Sequence, residues 1–275
     1  MHYAGQISAI AFDIDGTLLN SQGRLSEPDC AAIRKCAEQG ILLCVATARP
    51  KRLTFRPCEV PADAAFLSDR GVFYNGAELL DAVPGYAKHW LMDPETTRRV
   101  TDLLSRAAPD IQIAIQIREE YHSYRLPMTD TDMAVWGFAP HELLPFAEAC
   151  EQECSKIVAY HPSVALGETH ERLQSELGAS TNAFLTDSAH WIQVVSGQAS
   201  KTNAFLHLLD RYGIPREQAA VFGDDVPDLD MFRAFPCSVA MANASQELKE
   251  SATFVTRSND DSGVAYALER LLHLV

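Results

Sequence analysis

The chain has 275 residues, with 37 Asp and Glu against 23 Lys and Arg, and a formal charge of −14. At 47% apolar and 22% charged residues it has globular composition, with enough chain for one large or two modest domains. The acid excess argues against nucleic acid, whose phosphate backbone selects basic surfaces. The apolar runs at 7–12 and 41–46 are too short to cross a bilayer, and Met1-His2-Tyr3 opens no basic-then-apolar signal segment. Seven cysteines, odd in number, fit neither a disulfide framework nor a Cys-x-x-Cys metal pair and read as buried free thiols. The expectation is a reduced, cytoplasmic protein with no membrane and no nucleic-acid partner.

In chain order, 7–12 is an apolar run ending at Asp13, the pattern of a strand buried on both faces. Ser26 caps a helix with Pro28 in its first turn; Ala31, Ile33 and Ala37 continue at helical spacing and Gly40 stops it. A second buried strand over 41–46 runs into Thr47-Ala48-Arg49, and 64–68 reads as a third. Strand, helix, strand, with polar residues after the strands, predicts a doubly wound α/β sheet.

Between about 78 and 195 the pattern changes. Asp93 and Pro94 open a helix to about 107, and 111–117 alternates apolar with polar as a half-exposed strand does. Helices near 142–153 and 163–177 alternate with strands near 156–160, 181–186 and 191–195, which predicts an inserted α+β domain. Trp90, Trp136 and Trp191 fall inside it and read as its core. From 200 the buried pattern resumes, with a helix at 201–212, strands at 219–222, 238–241 and 253–256, and a closing helix at 263–273. The predicted division is a core of 1–77 and 196–275 around an insert of 78–195.

The chemistry gathers at strand ends, where open α/β sheets bind ligands. Asp13-Ile-Asp15-Gly16-Thr17 puts two carboxylates in one turn, able to divide the roles of nucleophile or metal ligand and of general acid and base. Gly223-Asp224-Asp225-Val-Pro227-Asp228 puts three more carboxylates after a later strand. Such a set repels itself unless a cation compensates, and oxygen donors alone favour Mg2+ over zinc. Thr47 could hydrogen-bond a phosphate. Lys201 opens a helix, where the dipole disfavours a cation unless an anion faces it. Taken singly, the Asp13–Asp15 turn is more often a solvated turn, Thr47 a strand-end cap and Lys201 an exposed surface lysine, and an acidic helix cap is the alternative for Asp225–Asp228.

In this order, Asp13-x-Asp15-Gly-Thr-Leu, Thr47, Lys201 and Gly223-Asp224-x-x-x-Asp228 resemble the four motifs of the haloacid dehalogenase-like hydrolase superfamily. The insert, lying after the second motif, resembles the type II cap of its Cof-type subfamily. Asn75-Gly76-Ala77, the segment Val239-Ala-Met-Ala-Asn243-Ala and Asp261-Ser-Gly263 extend the likeness over nearly the whole chain. The resemblance implies a Rossmann-like core with an α+β cap, and a Mg2+-dependent phosphatase acting on a small phosphorylated metabolite.

By the same resemblance, Asp13 would attack phosphorus and bind the ion, and Asp15 would serve as acid and base while its carbonyl ligates the ion. Thr47, Ala48 and Lys201 would hold the phosphoryl group, with Arg49, Asn75 and Gly76 lining the substrate. Asp224 would ligate the ion, and Asp228 would orient Lys201 or water at the ion. Arg118 and Arg125 are candidates for substrate contact in the cap, and Gly76 and Gly197 for hinge points.

Two departures stand out: Ala48 where many relatives have Gly, and Pro227 where they usually have Asn. A phosphomutase of the same superfamily, or a phosphate-binding regulator with impaired chemistry, remains an alternative. The insert carries 18 acidic and 8 basic residues, net −10, which predicts a preference for monophosphates with uncharged bodies.

Overall fold

The computed structural model describes residues 7–55, 59–82, 85–186 and 188–275. Its strands are β1 (Ala9–Phe12), β2 (Leu42–Ala46), β3 (Arg70–Phe73), β4 (Glu78–Asp81), β5 (Tyr86–His89), β6 (Gln112–Ile117), β7 (Tyr121–Tyr124), β8 (Lys156–Tyr160), β9 (Thr181–Thr186), β10 (Trp191–Ser196), β11 (Ala219–Gly223), β12 (Cys237–Ala240) and β13 (Phe254–Val255). The α-helices are α1 (Glu27–Glu38), α2 (Pro94–Ser105), α3 (Asp130–Val135), α4 (Phe146–Ala149), α5 (Gly167–Leu177), α6 (Lys201–Tyr212), α7 (Leu229–Ala234), α8 (Gln246–Ser251) and α9 (Gly263–Tyr266). None of the described helices is long and apolar enough to cross a membrane.

Two compact units emerge, one through Ala87 and from Lys201 onward, the other Lys88–Ser200. The first holds an eight-stranded sheet of order β13-β12-β11-β1-β2-β3-β4-β5. Its six motif-bearing and flanking strands from β13 to β3 run parallel, and β4 folds back antiparallel on β3. Because β4 and β5 join this sheet, the chain leaves the first unit inside β5, later than position 78. β1 lies at the centre with Phe12 level with Val45 and Phe222, and every residue of β1, β2, β11 and β12 is buried. This is the α/β, Rossmann-like doubly wound core that the strand spacing predicts.

Helix α1 begins as expected. Ser26 accepts a hydrogen bond from the Asp29 amide, Pro28 sits in the first turn, and Gly40 follows the last turn at φ +81°. The segment at 64–68 is not a strand: Ala62–Ser68 is a 3-10 helix entered from Pro61, and the strand beside β2 is β3. A run of four or five apolar residues does not separate strand from helix, and the alanines and leucine here suit the helix.

The second unit carries a five-stranded sheet of order β7-β6-β8-β10-β9, antiparallel throughout. One face packs Ile113, Ile115, Ile157, Ile192 and Val194 against Val100, Leu103 and Leu104 of α2 and Leu173 and Leu177 of α5. The other face of β6 is not open as the alternation predicts, since Ala114 and Gln116 are each 2% exposed. The Gln112 amide donates to the Leu126 carbonyl and accepts from the Leu126 amide, which ties the chain beyond β7 across that face.

The helix predicted near 142–153 shrinks to α4, because Pro145 sets its start and the chain has left helical geometry by 153. The closing helix passes from α9 into a π-helical turn over Ala267–Leu271. Trp136 and Trp191 are half-buried and lie outside the apolar core they were expected to form. Five described cysteines are buried and Cys150 is half-buried, all free thiols; Cys58 lies outside the described residues.

Candidate active site

Three parallel strands deliver the site. β1 ends at Phe12 and hands over Asp13, whose amide donates to the Phe222 carbonyl of β11 at 3.0 Å. β11 ends at Gly223 and hands over Asp224. The turn beyond it bends Asp228 back, so that its Oδ2 accepts from the amides of Asp224 (3.2 Å) and Asp225 (3.3 Å). Pro227 lies in the first turn of this 3-10 helix, where no amide proton is needed.

Lys201, the first residue of α6, reaches in from another stretch of chain and donates to Asp13 Oδ1 at 2.6 Å and Asp228 Oδ1 at 2.7 Å. Asp13, Lys201 and Asp228 are all buried. The unfavourable placement of a cation at a helix start is thereby offset by two carboxylates. Burial alone would push the ammonium toward neutrality, but the charges of Asp13 and Asp228 outweigh it and hold its pKa above the ordinary value.

Two glycines make room. At Gly16 φ is +77° and a Cβ would collide with the Asp224 carboxylate; at Gly223 a Cβ would lie 2.5 Å from Asp228 Oδ2. Thr17 donates to Asp224 Oδ1 at 2.9 Å, while Asn243 donates to the Gly16 carbonyl at 2.8 Å and so fixes the turn from outside. Asn259 continues the brace, its amide donating to Asn243 Oδ1 and its side chain to the Leu19 carbonyl.

Oxygens of Asp13, Asp224 and Asp228 lie within 4.8 Å of one another. Burial, countered in part by Lys201, and then the neighbouring charges of Asp228 and Asp224 push the Asp13 carboxyl well above its usual range. Burial and the Asp228 charge push Asp224 up to about 7, against the opposing hydrogen bond from Thr17. Three close carboxylates with one ammonium between them form an acid-rich, oxygen-only donor set short of positive charge. A hard divalent cation fits it on both counts.

Asp15 stands apart from this cluster. Its two oxygens accept from Arg49 Nε (2.8 Å) and Nη2 (2.6 Å), and the same guanidinium donates through Nη1 to Glu59 at 3.0 Å and to the Leu53 and Thr54 carbonyls. Burial opposes the Arg49 charge, and the Asp15 hydrogen bonds and charge outweigh it and raise its pKa. In this arrangement Arg49 grips the Asp15 carboxylate through two parallel hydrogen bonds.

Thr47 is buried; its amide extends the pairing of β2 with β3 by donating to Val72, and its hydroxyl oxygen accepts from the Arg49 amide at 3.1 Å. Ala48, half-buried, lies in the same turn. Asn75 follows at φ +55° with Tyr74 at φ +52°, a left-handed pair held by Asn75 N to Thr47 O and Tyr74 N to Arg49 O. A left-handed tyrosine is strained backbone, and here it ties the loop after β3 to the loop after β2. Gly76 completes it at φ +100°.

The two arginines considered in the insert are engaged locally. Arg125 donates to the Pro109 and Ile111 carbonyls, and Arg118 lies 3.8 Å from Glu153. Sequence reasoning did not single out Glu59 or Asn259. Nothing in their local sequence marks them, because their roles come from contacts 10 and 240 positions away.

The family model for haloacid dehalogenase-like hydrolases matches residues 10–268. Among curated proteins, the Bacillus subtilis 5-amino-6-(5-phospho-D-ribitylamino)uracil phosphatase YwtE is 27% identical, with 97% of this chain and 98% of that protein aligned. Phosphatase YwpJ of the same organism is also 27% identical, over 96% and 99%. A haloacid dehalogenase-like hydrolase from Bacteroides thetaiotaomicron shares the fold at TM-score 0.77 and 22% identity, covering 96% of this chain and 99% of that one. The chain belongs to the haloacid dehalogenase-like hydrolases of Cof type, and is a phosphatase.

Proposed function

We propose that the protein is a Mg2+-dependent phosphomonoesterase acting on a small phosphorylated metabolite through an aspartyl-phosphate intermediate. The observation that carries this reading is Lys201 bridging Asp13 and Asp228 beside Asp224, a buried cluster with one charge-compensating cation and room in its chemistry for a second. Asp13, Asp224 and the Asp15 carbonyl would hold the ion. When bound, the ion supplies positive charge that offsets phosphoryl and carboxylate repulsion.

Asp13 forms the bond to phosphorus as the ester oxygen leaves with a proton from Asp15. Water then attacks the acyl phosphate, giving its proton to Asp15, and the carboxylate of Asp13 is regenerated. The sum is phosphomonoester plus water to alcohol plus inorganic phosphate. Lys201 stays charged throughout and neutralises the transferring group, Asp228 keeps it in place, and Thr47 and the Ala48 amide bind phosphoryl oxygens. Arg49 donates to both Asp15 oxygens in the structure, so one of them must be released from the guanidinium for Asp15 to carry and deliver the proton.

Three Bacillus subtilis relatives carry the name 5-amino-6-(5-phospho-D-ribitylamino)uracil phosphatase, which supports a phosphate ester on an uncharged organic body as the substrate here. The net charge of −10 over 78–195 supports the same choice. A panel of phosphorylated metabolites, assayed for inorganic phosphate with Mg2+ and with EDTA, tests the reading. Wild type releases phosphate only with the ion, Asp13→Asn loses at least a thousandfold of that rate, on the order expected when a nucleophile is removed, and Mg2+ raises the melting temperature of wild type but not of Asp224→Asn. Ion-independent release, or an Asp13→Asn rate equal to wild type, sinks it. A monophosphate should also turn over faster than its matched bisphosphate.

A further inference from the structure

On the face of the second unit's sheet away from its apolar core, the strand register lines up aromatic residues. Gln112 of β6 stands opposite Tyr160 of β8, and Tyr160 opposite Trp191 of β10, while Tyr124 of β7 stands opposite Ala114. Trp136, just beyond α3, closes the set from above the sheet. Its ring lies 6.3 Å from that of Trp191 at 29° and 6.0 Å edge-on from Tyr124 at 75°, and Tyr160 lies 4.4 Å from Trp191, tilted by 30°.

These rings line a cavity of about 320 Å³, together with Gln112, Met128 and small apolar neighbours. Trp136, Tyr160 and Trp191 pack partly on one another yet remain only half-buried, and each still presents surface to the cavity. The Tyr124 hydroxyl is buried with no hydrogen-bond partner among the described residues, and burial raises its pKa, so it stays a neutral phenol.

The charge of the lining decides what fits. Among the described residues no Lys, Arg, Asp or Glu lines the cavity, although residues 78–195 carry 26 charged side chains. A charged guest would be desolvated there with no counter-ion, and a polyol would lose its water for few hydrogen bonds. A flat uncharged ring loses little on leaving water and gains stacking on indole and phenol faces.

We propose that this cavity is a binding site for a planar, uncharged aromatic or heterocyclic ring system of one or two fused rings. Met128 adds a polarizable thioether to its wall, a group that adapts to rings of differing outline. Binding here needs none of the residues of the phosphatase cluster, so it stands or falls separately from the hydrolytic reading.

The test is isothermal titration of the full chain with quinazoline-2,4-dione as the flat neutral probe, and with benzoate and ribitol as the charged-ring and ring-free comparisons. The expected result is saturable 1:1 binding of the dione, with benzoate and ribitol at least about tenfold weaker, since stacking and desolvation both separate them. Trp191→Leu should weaken the dione about tenfold, and Trp136→Leu should act in the same direction. Far-ultraviolet circular dichroism and a two-state melt check that each variant is folded. Should Trp191→Leu not fold, the wild-type ranking of the three probes decides alone. No dione binding up to millimolar concentration, ribitol binding as tightly, or a folded Trp191→Leu and Trp136→Leu both binding like wild type overturns the proposal.

Discussion

At the scale of single residues, the tightest constraint is the space around Asp224. Gly16 approaches that carboxylate so closely that a methyl group cannot be placed there, and its φ of +77° is one an alanine resists. Gly16→Ala should therefore push the Asp13 turn and the Asp224 side chain apart. The expected outcome is a stability loss of about 1–3 kcal/mol in urea titration, together with loss of the Mg2+-induced rise in melting temperature. A variant that keeps both would show that the close approach has no consequence for the cluster. Gly223 meets Asp228 in the same way on the neighbouring strand, so the two acidic turns are each held by a residue that has no side chain.

At the scale of elements, the catalytic turns are braced from the chain's far end. Asn243 follows β12 and Asn259 follows β13, yet their amides hold the Gly16 and Leu19 carbonyls and each other. Asn243→Ala removes a donor to Gly16 and an acceptor for Asn259. A stability loss of about 1–3 kcal/mol is expected from two hydrogen bonds, with turnover reduced more than substrate affinity because the Asp13–Gly16 turn is loosened without losing a substrate contact. Equal kcat in the variant would contradict that brace.

The same elements explain how far the sequence could be read. β1, β2 and β11 were legible because each is an apolar run buried on both faces, and the four motifs are legible because each stands directly after such a run or opens a helix. The strand β3 was hidden because Arg70-Gly-Val-Phe has only two strongly apolar residues and the neighbouring Ala-rich stretch looks more strand-like than it is. In the insert, β6 announced its period correctly, but alternation reports polarity and not exposure. Nothing local to Gln112 foretells that the chain near Leu126 will lie across it. The cluster of Asp13, Lys201, Asp224 and Asp228 followed from motif order, whereas the Arg49–Asp15–Glu59 arrangement depends on side-chain direction at the end of a loop and has no sequence period to betray it.

At the scale of the whole molecule, charge and reactivity are distributed unevenly. The acidic cluster sets three carboxylates against one ammonium, while four of the described cysteines are kept out of thiol chemistry. Burial pushes the thiols of Cys36, Cys44, Cys154 and Cys237 up to about 12, although the Arg70 charge partly opposes it at Cys44 and the Thr97 hydrogen bond at Cys154. The reactive species is the thiolate, and with a pKa raised this far almost none exists at pH 8. Native protein at pH 8 should leave these four thiols unmodified by iodoacetamide, and denatured protein should label all of them, as read by peptide mass spectrometry. Rapid labelling of any of the four in the native state would show that its burial is not maintained in solution.

Lys201 and Asp13 touch across 188 positions of chain, and the whole of Lys88–Ser200 lies between them. That separation acquires a meaning in time when the protein is made. At roughly 5–20 residues per second, an interval on the order of ten to forty seconds passes between synthesis of the aspartate and synthesis of the lysine that neutralises it. The insert is a single uninterrupted stretch and has all its strands before Lys201 is added, whereas the central sheet still lacks β11, the neighbour of β1. The order of birth is thus the reverse of the order of reading: the insert can be finished first, and the catalytic unit that encloses it in sequence is completed last.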